Sequence, residues 1–185
     1  MKQHAHTKKG FTLVESLVAI TILISAIVAP LTVAYQGLAL TTYAKNQLTA
    51  QYLARDAADY ITARKDEYEL ANPNSGNWMT NFASCQSNNG CTIDTENMGA
   101  YSSSDISACS STCPKIKYDS SSGIYSSSAG TATSFTRKIV LQTHSEDSSL
   151  KTDEVRALIT VTWASSLSAN KTFTLRENYY NKINQ

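Results

Sequence analysis

The chain has 185 residues, of which 42% are hydrophobic and 17% charged, and its formal net charge is +1. That length fits one domain plus an extended element, and the charge balance excludes the broad basic footprint of a nucleic-acid binder. The charge is unevenly placed: residues 1–10 hold Lys2, Lys8 and Lys9 and no acid, leaving 13 basic against 15 acidic residues, a net of −2, in the remainder.

The first element is the run FTLVESLVAITILISAIVAPLTVAY over residues 11–35, which holds one charge, Glu15. As a helix it spans about 37 Å, against about 30 Å of bilayer hydrocarbon, so it is long enough to cross a membrane with some tilt. Lysines before the run and none within it favour a cytoplasmic side for residues 1–10 and export of the rest. A secretory signal cut near Thr32-Val33-Ala34 is the competing reading. Two features argue against it. The run is longer than a signal needs, and a carboxylate in a membrane segment costs about 2.5–3.5 kcal/mol on insertion scales. A discarded signal has no reason to carry that cost. Pro30 removes one helical hydrogen bond and crowds the preceding turn. It predicts a kink or an unwound stretch over residues 26–30, the alternative being a proline that the membrane helix simply tolerates.

The stretch Gly10-Phe11-Thr12-Leu13-Val14-Glu15-Ser16-Leu17-Val18-Ala19-Ile20 resembles the prepilin signature shared by type IV pilins and type II secretion pseudopilins, over about 25 residues. The resemblance implies cleavage between Gly10 and Phe11 by a prepilin peptidase and methylation of the new Phe11 amine. It also implies that Glu15 meets the N-terminal amine of a neighbouring subunit during filament assembly. The implied partners are other pilin subunits, the peptidase, the inner-membrane assembly machinery and membrane lipid; nucleic acid enters only if the filament serves DNA uptake. The implied location is a single pass through the inner membrane, then an extracellular or periplasmic filament. The physics fits that division of labour. Gly10 has no side chain, so its backbone can lie flat in a protease cleft. Glu15 is costly alone in lipid and compensated beside an ammonium, so only one axial offset between subunits pairs the charges. Pairing within its own chain, or snorkelling to the interface, is the alternative for Glu15.

Residues 36–70 contain no proline and only Gly37, and are rich in good helix formers. A 100° periodicity puts Thr49, Ala50, Leu53, Ala57, Tyr60 and Ile61 on one face. One helix of about 55–60 residues is expected, apolar all round at first and amphipathic later, and stopped by Asn72-Pro73-Asn74-Ser75-Gly76. A small domain cannot bury a helix of that length, so its first half needs lipid or other subunits.

Residues 71–134 read as a Ser- and Cys-rich loop region carrying Cys85, Cys91, Cys109 and Cys113. An even count in an exported chain points to disulfides. Of the three pairings, Cys85–Cys91 and Cys109–Cys113 are favoured because each closes a short, turn-rich loop. A tetrahedral zinc site is the alternative, but intervals of five and three residues are not the usual two-residue knuckles. No metal or cofactor is expected.

Residues 135–185 alternate with period two. Phe135, Arg137, Ile139 and Leu141 face one way; Ala157, Ile159, Val161 and Trp163 form a second set, and Phe173 and Leu175 a third. Three antiparallel strands with one apolar face for the helix to cover are expected. The fold class is therefore α+β and pilin-like: a long N-terminal membrane-spanning helix packed on a small antiparallel sheet, with a disulfide-bearing loop region. The sheet also loosely resembles that of minor pilins and pseudopilins. Trp163 reads as a sheet aromatic rather than a stacking platform.

No phosphate-binding, dinucleotide or nucleophile-elbow motif is present. His144 lies in an acidic loop, and His4 and His6 would leave with residues 1–10. The chain reads as a structural subunit and not an enzyme; the alternative is a membrane-anchored or secreted binding module that uses the Cys-rich loops for recognition.

Overall fold

The computed structural model describes residues 10–73, 77–96, 102–150, 153–164 and 170–180. The N-terminal lysines, His4, His6 and Asn74 to Gly76 of the expected turn lie outside these residues. The chain divides into two compact units, Met1–Thr42 and Tyr43–Gln185, and the helix α1, Leu13–Ala71, contributes to both.

In the first unit, every described residue up to Leu38 is exposed. The expected unwound stretch over residues 26–30 is absent: α1 continues through Pro30. A proline deletes a single donor and leaves the other bonds of the ladder in place. Thr32, two residues on, donates its hydroxyl to the Val28 carbonyl at 2.9 Å.

The second unit combines the rest of α1, a 3₁₀ segment at Trp78–Cys85 and an antiparallel sheet. Its strands are β1 Cys91–Ile93, β2 Ile106–Ala108, β3 Lys115–Asp119, β4 Ile124–Ser126, β5 Thr131–Gln142, β6 Glu154–Trp163 and β7 Lys171–Tyr180. The spatial order is β2-β1-β5-β3-β4, with β6 on the other side of β5 and β7 beyond it. The three expected strands form as β5, β6 and β7. Two boundaries differ from the sequence reading. Residues 71–134 are not all loop, since they hold β1 to β4, and β5 begins at Thr131 rather than Phe135. Three of those four strands are only three residues long, too short for alternation to register.

Alternation decides the core. Phe135, Arg137, Ile139 and Leu141 of β5 are buried, and so are Ala157, Ile159, Val161 and Trp163 of β6. Phe135 stands opposite Trp163, and Ile139 opposite Ile159. Helix residues Ala50, Leu53, Ala54, Ala57, Ala58, Tyr60 and Ile61 join the same cluster. The small residues at 50, 54, 57 and 58 let the helix backbone approach the sheet, and larger side chains there would overpack it. Trp78 and Phe82 enter from the 3₁₀ segment; the Trp78 ring meets Phe82 and Tyr179 edge-on at 5.7 and 5.8 Å. Burying an aromatic of this size is worth about 1.5–3 kcal/mol.

Disulfides Cys85–Cys91 and Cys109–Cys113 each span 4.6 Å between Cα atoms. With all four sulfurs bonded, no thiolate is left to bind zinc. Gly90 completes the first loop with φ at 71°, and a Cβ there would lie 2.5 Å from the Ile139 carbonyl oxygen. Any other residue at that position would push the loop off β5. The Gly90 carbonyl accepts from the Cys109 amide at 2.9 Å, which ties the two disulfide loops together.

Candidate assembly segment

The segment begins at Gly10, where an added Cβ would meet nothing within 4 Å. Among the described residues, then, no neighbour demands glycine. Phe11 follows, 78% exposed. Thr12 caps the helix: its Oγ1 accepts from the Glu15 amide at 3.3 Å, and its carbonyl accepts from the Ser16 amide at 3.1 Å. Thr12-Leu13-Val14-Glu15 is thus a capping-box sequence, which the reading of Glu15 as an intersubunit charge overlooked. Glu15 lies in the first turn, where the helix dipole favours an anion. Among the described residues its carboxylate has no hydrogen-bond or ion-pair partner.

From Leu13 onward the surface is apolar apart from Glu15 and scattered hydroxyls. Leu13, Leu17, Ile20, Leu23, Ile27 and Leu31 are all at least half exposed. The most apolar 18-residue window has a mean hydropathy of 2.5, and none of it is buried. The hydroxyls on this surface are satisfied locally: Thr21 donates to the Val18 carbonyl, Ser25 to Thr21 and Thr32 to Val28, all at 2.8–2.9 Å. Such back-bonding lets a polar side chain sit in an apolar medium without an orphaned donor.

The second unit holds its polar groups differently. The Arg137 side chain, 3% exposed, enters the core. Its Nη1 donates to the Leu53 carbonyl at 2.8 Å and lies 3.5 Å from an Asp56 carboxylate oxygen; its Nη2 donates to the Ile93 carbonyl at 2.5 Å. Helix, β1 and β5 are therefore joined at one guanidinium. Burial lowers the Arg137 pKa, and the Asp56 carboxylate opposes the shift. Thr95 hydrogen-bonds the same Asp56 oxygen. Asp94 accepts from the Ser126 hydroxyl and from the Ser127 amide and hydroxyl at 2.7–3.2 Å. Burial alone would raise the Asp94 carboxyl, but these bonds and the Glu96 amide outweigh it and hold the group below its ordinary value. Tyr60 donates to the buried Asp105 carboxylate at 3.2 Å, and Tyr179 to the Ala58 carbonyl at 3.2 Å. A cleft of about 490 Å³ opens beside this network, lined by Tyr52, Asp56, Asp59, Thr95 and Tyr125 among others. His144 sits in an exposed loop with its Nδ1 2.6 Å from the Leu150 carbonyl oxygen. Among the described residues no cluster of ligating side chains suited to a metal ion occurs.

Residues 6–29 match the prokaryotic N-terminal methylation motif. With its long apolar helix, the chain fits the type IV pilin family. The match covers the leading part of α1 and none of the second unit. Comparisons with curated proteins and with solved structures return no match. The motif supports a pilin-like or pseudopilin subunit, and the pilin family is structural rather than enzymatic. Motif and apolar helix together are consistent with a membrane-anchored precursor.

Proposed function

We propose that this chain is a structural subunit of a type IV pilus or a related pseudopilus, a minor one, cleaved between Gly10 and Phe11 and methylated on the Phe11 amine. The observation that carries this reading is the methylation motif running directly into a helix whose first seven turns are wholly exposed and, apart from Glu15, almost without charge or strong polarity. Before assembly that surface rests in the inner membrane; afterwards it packs against the same surface of other subunits. Glu15, with no partner among the described residues, pairs with the methylated amine of a neighbour, because a carboxylate isolated among apolar groups is costly. Pro30 supplies a point where the helix bends or extends once neighbours surround it, since its missing hydrogen bond makes local unwinding cheaper there.

Mass spectrometry of the mature N-terminus tests the reading. The expected result is a chain starting at N-methylated Phe11. A start near Tyr35, leaving no apolar helix, would instead indicate a secreted binding module that uses the Cys85–Cys91 and Cys109–Cys113 loops for recognition.

A further inference from the structure

The cleft beside the Arg137 network plays no part in assembly through the N-terminal helix, and all its lining residues belong to the second unit. Asp56 lies at its base, with a side chain 38% exposed. Thr95, itself buried, and Arg137 both bond the Oδ2 oxygen of that carboxylate. Its Oδ1 has no hydrogen-bond partner among the described residues. One oxygen is thus anchored and the other is left free to accept. Two tyrosines line the same cleft. Tyr52, one helical turn before Asp56, is 65% exposed. Tyr125 comes from β4; Tyr118 backs its ring at 4.9 Å between centroids, and it packs against the core. Asp59 and Arg55, both exposed, complete the rim.

Charge and shape narrow what fits. Asp56 and Asp59 carry two negative charges, and Arg55 and Arg137 two positive ones, so the site as a whole selects neither an anion nor a cation. Aromatic rings attract an apolar face. Carboxylate oxygens accept from hydroxyls, and a guanidinium donates to them. A neutral molecule with a C–H face and a rim of hydroxyls is a pyranose sugar. The volume of about 490 Å³ lies within the range of about 300–1,000 Å³ found for small-molecule sites.

We propose that this cleft binds a neutral carbohydrate, with the C–H face of one sugar ring on Tyr52, hydroxyls donating to Asp56 Oδ1 and to Asp59, and Arg55 donating to a sugar oxygen. Tyr125 closes the far side. The site does not depend on how the N-terminal helix is processed or packed, so its failure would leave the assembly reading untouched.

Saturation-transfer NMR on the full chain tests the inference, in lauryldimethylamine oxide, a detergent without a sugar head. The probes are cellobiose, lactose, maltose and chitobiose, with arginine amide and N-acetylneuraminic acid as the charged controls. Transfer should reach the C–H protons of at least one disaccharide and exceed that to either charged probe. Tyr52→Phe keeps the ring and should bind as the parent does, whereas Tyr52→Ala should weaken binding about tenfold. Asp59→Asn turns a charge-assisted acceptor into a neutral one and should weaken it about fivefold. These positions are exposed, and a parent-like urea midpoint shows that each variant is folded. No transfer to any of the disaccharides, stronger transfer to either charged probe, or undiminished transfer in folded Tyr52→Ala would overturn the proposal.

Discussion

Residues 10–42 and residues 43–180 solve the same problem, what to do with polar groups, in opposite ways. The leading segment returns each hydroxyl named above to its own backbone and buries nothing. The second unit sends its polar groups across the fold: Arg137 to Leu53 and Ile93, Tyr60 to Asp105, Tyr179 to Ala58. The first arrangement makes a rod indifferent to which apolar surface surrounds it. The second makes a body whose parts are specified by one another. Substitutions should therefore separate cleanly into those that unfold the body and those that change only what the rod can join.

The sharpest test is Arg137→Ala. It strands the Leu53 and Ile93 carbonyls, and leaving buried polar groups unpaired costs about 1–3 kcal/mol each, whereas Asp56, 38% exposed, keeps solvent and Thr95. Urea unfolding of the detergent-solubilised chain, followed by tryptophan fluorescence, should show a loss of that order; a change under about 1 kcal/mol would mean the guanidinium is not the joint described here. Removing Cys85–Cys91 by a double serine substitution should cost about 2 kcal/mol, because the loop is short and its closure entropy modest. Thermal unfolding under oxidising conditions measures it.

A third test is silent at neutral pH. Burial, then the Asp105 carboxylate, push the Tyr60 phenol from 10.0 up to about 12. The folded state thus keeps its proton where the unfolded chain has lost it. The stabilisation is complete below pH 10 and is lost as pH rises through 12. The melting temperature should fall across that window, and Tyr60→Phe should flatten the fall; an unchanged slope would remove Tyr60 from the account. Smallest of all, Glu15→Ala should leave urea unfolding of the second unit within about 0.5 kcal/mol of the parent. Cleavage should persist while incorporation into sheared filaments drops. Parent-like incorporation would show that Glu15 serves the helix cap alone.

Much of this was legible in the sequence where a period was long enough to read. α1 ends at Ala71, one residue before the Asn72-Pro73 breaker, and β5 to β7 follow their alternation. The inward direction of Arg137 was legible too, but its partners were not. They come from Leu53, Asp56 and Ile93, whose approach depends on how helix and sheet dock. Ala54 and Ala58 were missed on the helix face because an alanine's burial depends on what presses against it. β1 to β4 were missed because strands of three to five residues among serines carry no pattern. At the N-terminus, Thr12 was overlooked for the opposite reason: the capping box was plain in the spelling, and the motif around it drew attention to the charge of Glu15 rather than to its place in the first turn.

The hydroxyls of Thr21, Ser25 and Thr32 have a consequence for traffic between media. A helix with its donors closed internally keeps the same conformation in hydrocarbon and against protein, so moving from one to the other requires no polar bond to be broken or remade. Glu15, the one charge of that stretch, is the exception. The rod can then pass from lipid to fibre freely except at its tip, and that tip alone distinguishes being stored from being built in.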